Sequence, residues 1–236
     1  MRRAALVTLA VAVPYVAAGL WLDRYVDLRA QLALGVLTAV VLGALLALQP
    51  PGVRWQATAV VGVATIGEVI GSIIWGVYTY RLENLPAFVP PGHGLVYLCG
   101  FSLAVLAARR PTVLLVIAIA AATLWGVLGL TVLPATDVSG AIGCTFLVLV
   151  LLRTRRTVYA GVFLAVAALE IYGTAIGTWT WAGVVPGLGL SQGNPPSGAA
   201  SGYVVFDVVA LWLVASVSRS RLRGMRARVQ AFAAGF

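Results

Sequence analysis

Apolar runs of membrane length alternate along this chain with short stretches rich in Arg, Pro, Gly or Asp. Eight such runs are legible, near Ala4–Leu22, Gln31–Gln49, Ala57–Tyr80, Gly94–Ala108, Thr112–Leu133, Val138–Leu152, Val158–Ala182 and Ala199–Val217. Most approach the ~20 residues that a helix needs to cross ~30 Å of hydrocarbon. None shows the alternation of a half-buried strand, so the pattern predicts an all-α, polytopic transmembrane helix bundle of eight spans. The fourth and sixth runs are short, as expected of tilted helices or of helices that extend into their loops.

The polar connections fall into two alternating sets. Arg2 and Arg3, Arg54, Arg109 and Arg110, the RTRR at 153–156 and the tail SRSRLRGMRARVQ form one set, with thirteen of the sixteen arginines. DRYVDLR, RLENLPAFVPPGH, PATD and GVVPGLGLSQGNPPSG form the other. By the positive-inside rule the first set faces the cytoplasm, with both termini, in a multi-pass cell-membrane protein. The opening MRRAALVTLAVAVPYVAAGLWL has the charged start of a signal peptide. Its apolar part is long and no small-residue cleavage site precedes WLDRY, so it is expected to stay as the first membrane helix.

Three acids interrupt the apolar runs: Glu68, Glu170 and Asp207. Each costs about 3 kcal/mol at a helix centre, so each calls for a role. Two of them head similar segments. In GEVIGSIIWGVYTYRLENLPAFVPPGHG, Glu68-x-x-Gly71 is followed by Gly76-x-Tyr78-x-Tyr80 and Pro90-Pro91. In LEIYGTAIGTWTWAGVVPGLGLSQGNPPSG, Glu170-x-x-Gly173 is followed by Gly177-x-Trp179-x-Trp181 and Pro195-Pro196, with one residue fewer after the acid. Tyr97 and Tyr203 extend the correspondence. The pattern reads as an internal 4+4 repeat in parallel orientation: 1–110 and 111–218 are two four-helix membrane units, and 219–236 is a basic cytoplasmic tail. If the third and seventh helices run on through Tyr80 and Trp181, both glutamates lie near the bilayer midplane, roughly 18 Å below the helix ends, and meet across the repeat axis.

Composition sharpens this picture. The chain is 61% hydrophobic and 10% charged, with a mean hydropathy of +1.00. Its net charge of +9 comes entirely from Arg at span ends and in the tail. That distribution suits anionic lipid headgroups and not nucleic acid, for which no basic face with interleaved aromatics exists. Cys99 and Cys144 fall inside spans and read as small buried hydrophobes. A single histidine, His93, cannot build an ordinary metal site, so no metal or bound cofactor is expected. The chain lacks Walker, HExxH, GxSxG and CxxC motifs.

The candidate catalytic residues are therefore Glu68, Glu170, Asp207 and His93, the last in a PPGHG turn at the outer mouth of a cavity. Tyr78, Tyr80, Trp179 and Trp181 are candidate substrate-binding walls, or else members of the aromatic belt at the membrane interface. Asn194 in GNPPSG is a turn-former and a candidate substrate contact.

The motif E-x-x-G, then G-x-Y-x-Y, then a Pro-containing loop before the next span, resembles that of the integral-membrane carotenoid hydratases, which include the bisanhydrobacterioruberin hydratases. The residues that carry it are Glu68, Gly71, Gly76, Tyr78, Tyr80 and Pro90, with the W-x-W, Asn194 and Pro195 of the second unit similar. It covers about 70 of the 236 residues, and the chain departs from that family in the rest of its PPGHG and GNPPSG loops. The resemblance implies hydration of an isoprenoid double bond: protonation of an alkene to a tertiary carbocation and capture by water. Glu68 or Glu170 would be the acid, the four aromatics would stabilise the cation, and His93 would activate the water. Two other readings stand beside this enzyme of a hydrophobic, lipid-phase substrate. Duplicated halves with buried acids suit a proton-coupled transporter or flippase, and small-residue helix faces suit a non-catalytic subunit of a larger membrane complex.

Overall fold

The computed structural model describes residues 1–133 and 136–234, the last seventeen by backbone alone. The first two residues of the PATD loop and the side chains of the basic tail lie outside the described part. Eight helices are present among the described residues: α1 (Arg2–Asp23), α2 (Leu28–Ala47), α3 (Pro51–Glu68), α4 (Val89–Leu106), α5 (Pro111–Thr131), α6 (Val138–Thr154), α7 (Thr157–Ala175) and α8 (Ala199–Ala234). Seven helical stretches are long and apolar enough to span a membrane. The fourth, extended by a 3₁₀ turn to Arg109, reaches 21 residues. The sixth has 17, at the lower limit for a crossing.

Local chemistry starts the helices where the sequence punctuates it. Asp27 caps α2 by accepting from the Ala30 amide at 2.9 Å, and Asp137 caps α6 through the Gly140 amide. Pro51 and Pro111 occupy first-turn positions, where no N–H is missed. The same rule corrects one expectation. PPGHG is not a turn: Pro90 and Pro91 lie in the first turn of α4, which places His93 on the helix, buried.

The bundle is apolar outside and small inside. Val36 and Val40 on α2 and Val116 and Leu124 on α5 are exposed, as expected of lipid-facing positions, while Ala57, Ala64, Ala118 and Ala160 are fully enclosed. Without a hydrophobic force between helices in lipid, close backbone approach takes over. At the α4–α7 crossing, a Cβ on Gly100 would strike the Val162 backbone, and one on Gly161 the Gly100 carbonyl.

The helix ends expected to carry the aromatics are not helical. Helix α3 passes into a π turn, Val69–Ile74, and the chain then forms a strand β1 (Tyr78–Tyr80); α7 ends at Ala175 and leads to β2 (Trp179–Trp181). The strands pair antiparallel, Tyr78 with Trp181, Thr79 with Thr180 and Tyr80 with Trp179. The flanking backbone bonds come in mates: Arg81 donates to the Thr178 carbonyl and Ala182 to the Val77 carbonyl, each at 3.0 Å. Exchange of the two units leaves this pattern unchanged.

The same exchange holds for the central helices. Helix α3 packs on α4 and on α8, and α7 on α8 and on α4; α2 covers α4 as α6 covers α8. It fails outside: α1 packs on α4, but its counterpart α5 packs on α6 and α7. A polar clasp secures each long loop. Asp23 accepts from Gln31 Nε2 at 2.8 Å, Gln31 accepts from Asn84 Nδ2 at 2.7 Å, and Arg81 donates to the Val26 carbonyl. On the other side, Asp137 accepts from the amides of Gly140, Gly193 and Ser197 and from the Ser197 hydroxyl.

Candidate functional site

Each glutamate is served by its own strand. Glu68 Oε2 accepts from the hydroxyls of Tyr78 and Tyr80, both at 2.7 Å, and Oε1 lies 2.8 Å from His93 Nε2. Glu170 Oε2 accepts from the indole N–H of Trp179 at 2.9 Å and of Trp181 at 3.0 Å. Both carboxyls are almost wholly buried. Hydrogen bonds to a charged group contribute about 1.5–3 kcal/mol each, enough for two or three of them to offset the cost of burial.

The E-x-x-G spacing explains how a strand reaches back to its helix. The glycine lies three residues beyond the acid, on the same helix face. A Cβ on Gly71 would press against the Tyr78 ring, and one on Gly173 would overlap the Trp179 ring. The missing side chain is the seat of the aromatic that bonds the acid. Gly76 and Gly177, at φ of 72° and 76°, then turn the chain from helix to strand in a region that favours glycine. Val77 donates to the Gly71 carbonyl and Thr178 to the Gly173 carbonyl, both at 2.9 Å. The first unit closes this loop with one residue more, and the π turn, with Trp75 donating to the Ile70 carbonyl at 2.8 Å, takes it up.

Because the strands fold back, the expected depth changes. Glu68 lies six residues from the end of its helical segment at Ile74 and Glu170 five from Ala175, which is ~8–9 Å of rise and not the ~18 Å that continuous helices would have given. The acids sit toward the loop side of the bundle.

Glu68, Glu170, Tyr78, Tyr80, Trp179 and Trp181 line one cavity of about 310 Å³, closed on its far side by Tyr203 and Phe206 of α8. Its mouth includes Ile70 and Trp75, both exposed on the outer surface. His93 stacks on Tyr203, with ring centroids 4.8 Å apart, and faces a second, narrower crevice of about 70 Å³ reached between α1, α2 and α4. Tyr80, Trp179 and Tyr203 belong to both spaces and form the wall between them. The four strand aromatics are thus ligands of the acids and cavity walls.

Two candidates stand apart. Asn194 Oδ1 accepts from the Trp181 amide at 3.1 Å, fixing the second loop against β2. Asp207 is buried one helical turn beyond Tyr203 on the same face of α8. Tyr203 and Phe206 were the residues that sequence reasoning did not place in the site; the i, i+4 spacing of Tyr203 to Asp207 was the available signal. Among the described residues no three His, Cys, Asp or Glu side chains gather as a metal centre.

The two acids differ in their hydrogen-bond partners. Glu68 receives two hydroxyls on one oxygen and faces an imidazole across the other, a set that meets three of a carboxylate's roughly four acceptor sites. Glu170 receives two indole N–H groups on one oxygen, and the Tyr203 hydroxyl lies beside it. An indole only donates, whereas a hydroxyl also accepts, so Glu170 can hold a proton toward Tyr203.

Fold and site together define a multi-pass membrane protein with a buried acid–aromatic centre. Comparison of the chain with protein-family models, with curated proteins and with solved structures found no match to any of them.

Proposed function

We propose that this protein is an integral-membrane enzyme that hydrates an isoprenoid or polyene lipid by acid–base chemistry. The observation that carries the reading is the cavity that places Glu170 and Glu68, the latter backed by His93, among aromatic faces. Glu170 gives its proton to one alkene carbon, and the positive charge develops on the tertiary neighbour. Tyr78 and Trp181, with ring centroids 4.6 Å apart, supply the electron-rich faces that stabilise it. Water adds to the cation, and its surplus proton passes to the Glu68–His93 pair, from which Glu170 is restored. The exposed mouth beside Ile70 and Trp75 suits entry of a lipid from the side. The carotenoid-hydratase resemblance points to the same substrate class. Under the positive-inside rule the arginine-bearing ends and both termini face the cytoplasm, with anionic headgroups around them.

Lipid mass spectrometry of the purified protein after incubation with polyene and prenyl lipids tests this. Wild type is expected to yield a product heavier by one water, and Glu170→Gln and Glu68→Gln are expected to lose it by roughly two orders of magnitude or more. Full turnover in both variants would sink the reading.

One observation favours a second reading. Two crevices share the wall of Tyr80, Trp179 and Tyr203, and buried acids between duplicated halves suit a proton-coupled lipid carrier. Proton-driven lipid flux in sealed vesicles, with no change in lipid mass, would select it.

A further inference from the structure

We infer that the groove between α6, α7 and α8 at the arginine-bearing end of the bundle binds one anionic phospholipid of the adjoining leaflet. Its phosphate would sit on Arg156 and an acyl chain would run along the helices.

The two units differ at this end. In the first, protein closes the turn between α2 and α3. Leu45, in the last turn of α2, and Val53, in the first turn of α3, are buried. Gln49 between them is buried too and donates to the Thr8 hydroxyl of α1 at 3.1 Å. Arg54 donates to the carbonyls of Gln49 and Ala47, at 2.7 and 2.9 Å, so its charge is spent on the carbonyl end of α2. The turn between α6 and α7 is open instead, and Arg153, Thr154, Arg155 and Arg156 are all exposed. Arg156 precedes Glu170 by fourteen residues, as Arg54 precedes Glu68. Among the described residues its guanidinium reaches only the Tyr159 hydroxyl, at 3.5 Å, and stands 5.8 Å from the centre of that ring. A guanidinium carries five N–H donors in a planar fork, so Arg156 keeps donors for a partner outside the chain.

The groove beside it measures about 420 Å³, more than the acid–aromatic cavity. Thr154, Arg156 and Tyr159 lie at one end, and Phe146 and Val150 of α6 and Trp212 of α8 line its length. Phe146 is eight residues before Thr154, so the apolar walls continue ~12 Å inward from the arginines. Phe146 and Trp212 are exposed on the outer surface, which opens the groove to lipid. A cation at headgroup depth above an apolar trough matches an amphiphile with a negative head and a hydrocarbon chain. Guanidinium binds phosphate through paired N–H bonds, and basic pockets between transmembrane helices suit anionic headgroups. A soluble anion would use the arginine and leave the trough uncovered. A zwitterionic lipid would fill the trough but bring a second cation toward three arginines. The lipid would brace α6, which has 17 residues, and it would do so whatever reaction the acid–aromatic centre performs.

The test is native mass spectrometry and thermal unfolding of the full-length protein in nonionic detergent, with dioleoylphosphatidylglycerol or dioleoylphosphatidylcholine added. Wild type is expected to retain one phosphatidylglycerol, to unfold at a higher temperature with it, and to bind phosphatidylcholine at least about ten-fold more weakly. Arg156→Gln is expected to weaken phosphatidylglycerol binding by about ten-fold or more. Arg2→Gln removes the same charge from another exposed arginine on that side and is expected to leave binding unchanged. Ala215→Trp puts bulk into the groove at an exposed position and is expected to abolish retention with Arg156 intact. Equal retention of the two lipids would mean an unselective lipid coat. Equal loss in Arg2→Gln would mean a diffuse charge effect, and equal stabilisation by inorganic phosphate alone a site for a free anion. Each of these, or unchanged phosphatidylglycerol binding in both groove variants, would overturn the inference.

Discussion

Single residues in this protein matter chiefly through what they leave room for. Gly173 and Gly202 make the contrast. A Cβ on Gly173 would overlap the Trp179 ring, whereas nothing lies within 4 Å of one on Gly202, which lines the same cavity. Gly173→Ala is therefore expected to lower stability by about 1–3 kcal/mol through overpacking, and to displace Trp179 from Glu170. Gly202→Ala is expected to raise it by up to about 1 kcal/mol through helix propensity. Unfolding in detergent, followed by tryptophan fluorescence, reads both; equal effects of the two would contradict the seat assigned to Trp179. Tyr80→Phe removes one hydroxyl from Glu68 and is expected to cost about 1–3 kcal/mol. In combination with Glu68→Gln the cost should fall well short of the sum, since the two share one hydrogen bond. Additive losses in that double-mutant cycle would mean that the Tyr80 hydroxyl does not act on Glu68.

At the scale of elements, the π turn and the second loop are the informative pieces. The π turn holds the one residue by which the first unit exceeds the second between acid and glycine turn. Deleting Ile73, an exposed member of the turn, is expected to convert it to α-helix and leave Tyr78 and Tyr80 on Glu68. The deletion variant should then unfold within about 1 kcal/mol of wild type; collapse of the fold would show that the turn has a role beyond taking up the extra residue. Asp137 gathers four hydrogen bonds from three points of the chain. Asp137→Ala leaves those donors buried and unpaired, so the loop between β2 and α8 is expected to become the first site of proteolytic cleavage. An unchanged digestion pattern would count against the clasp.

For the whole molecule, the expected topology follows from charge and is checked by labelling. With the two free cysteines, Cys99 and Cys144, replaced by Ala, Glu83→Cys is expected to react with an impermeant maleimide from outside intact cells. Arg54→Cys is expected to react only after the membrane is opened. The reverse pattern would invert the orientation. Only the central helices α3, α4, α7 and α8 keep the exchange symmetry of the two units. The position of α1 over α4, unmatched by α5 over α8, makes the two crevices unequal, so the wider one is open beside the π turn.

Much of this was legible in the chain because apolar length and charge placement act locally. Eight runs bounded by Arg, Pro and Gly predicted eight helices, since a hydrocarbon core accepts little else, although the third and seventh stop short of Tyr80 and Ala182 and the eighth runs on past Val217. The repeated E-x-x-G, G-x-Ar-x-Ar order marked the residues of the site, because a glycine and an acid three apart must share a helix face whatever surrounds them. What the chain did not show is where those motifs go. Tyr78–Tyr80 and Trp179–Trp181 are apolar enough to continue their helices, and only their pairing with each other, about 100 residues apart, makes strands of them. That pairing raises the acids toward the loop side, turns the aromatics from belt residues into partners of Glu68 and Glu170, and brings His93 and Tyr203 from separate units into one stack. Sequence alone determined the spans, their alternation and the acids; the tertiary structure decided which groups each acid meets, because hydrogen bonds between distant segments leave no periodicity to read.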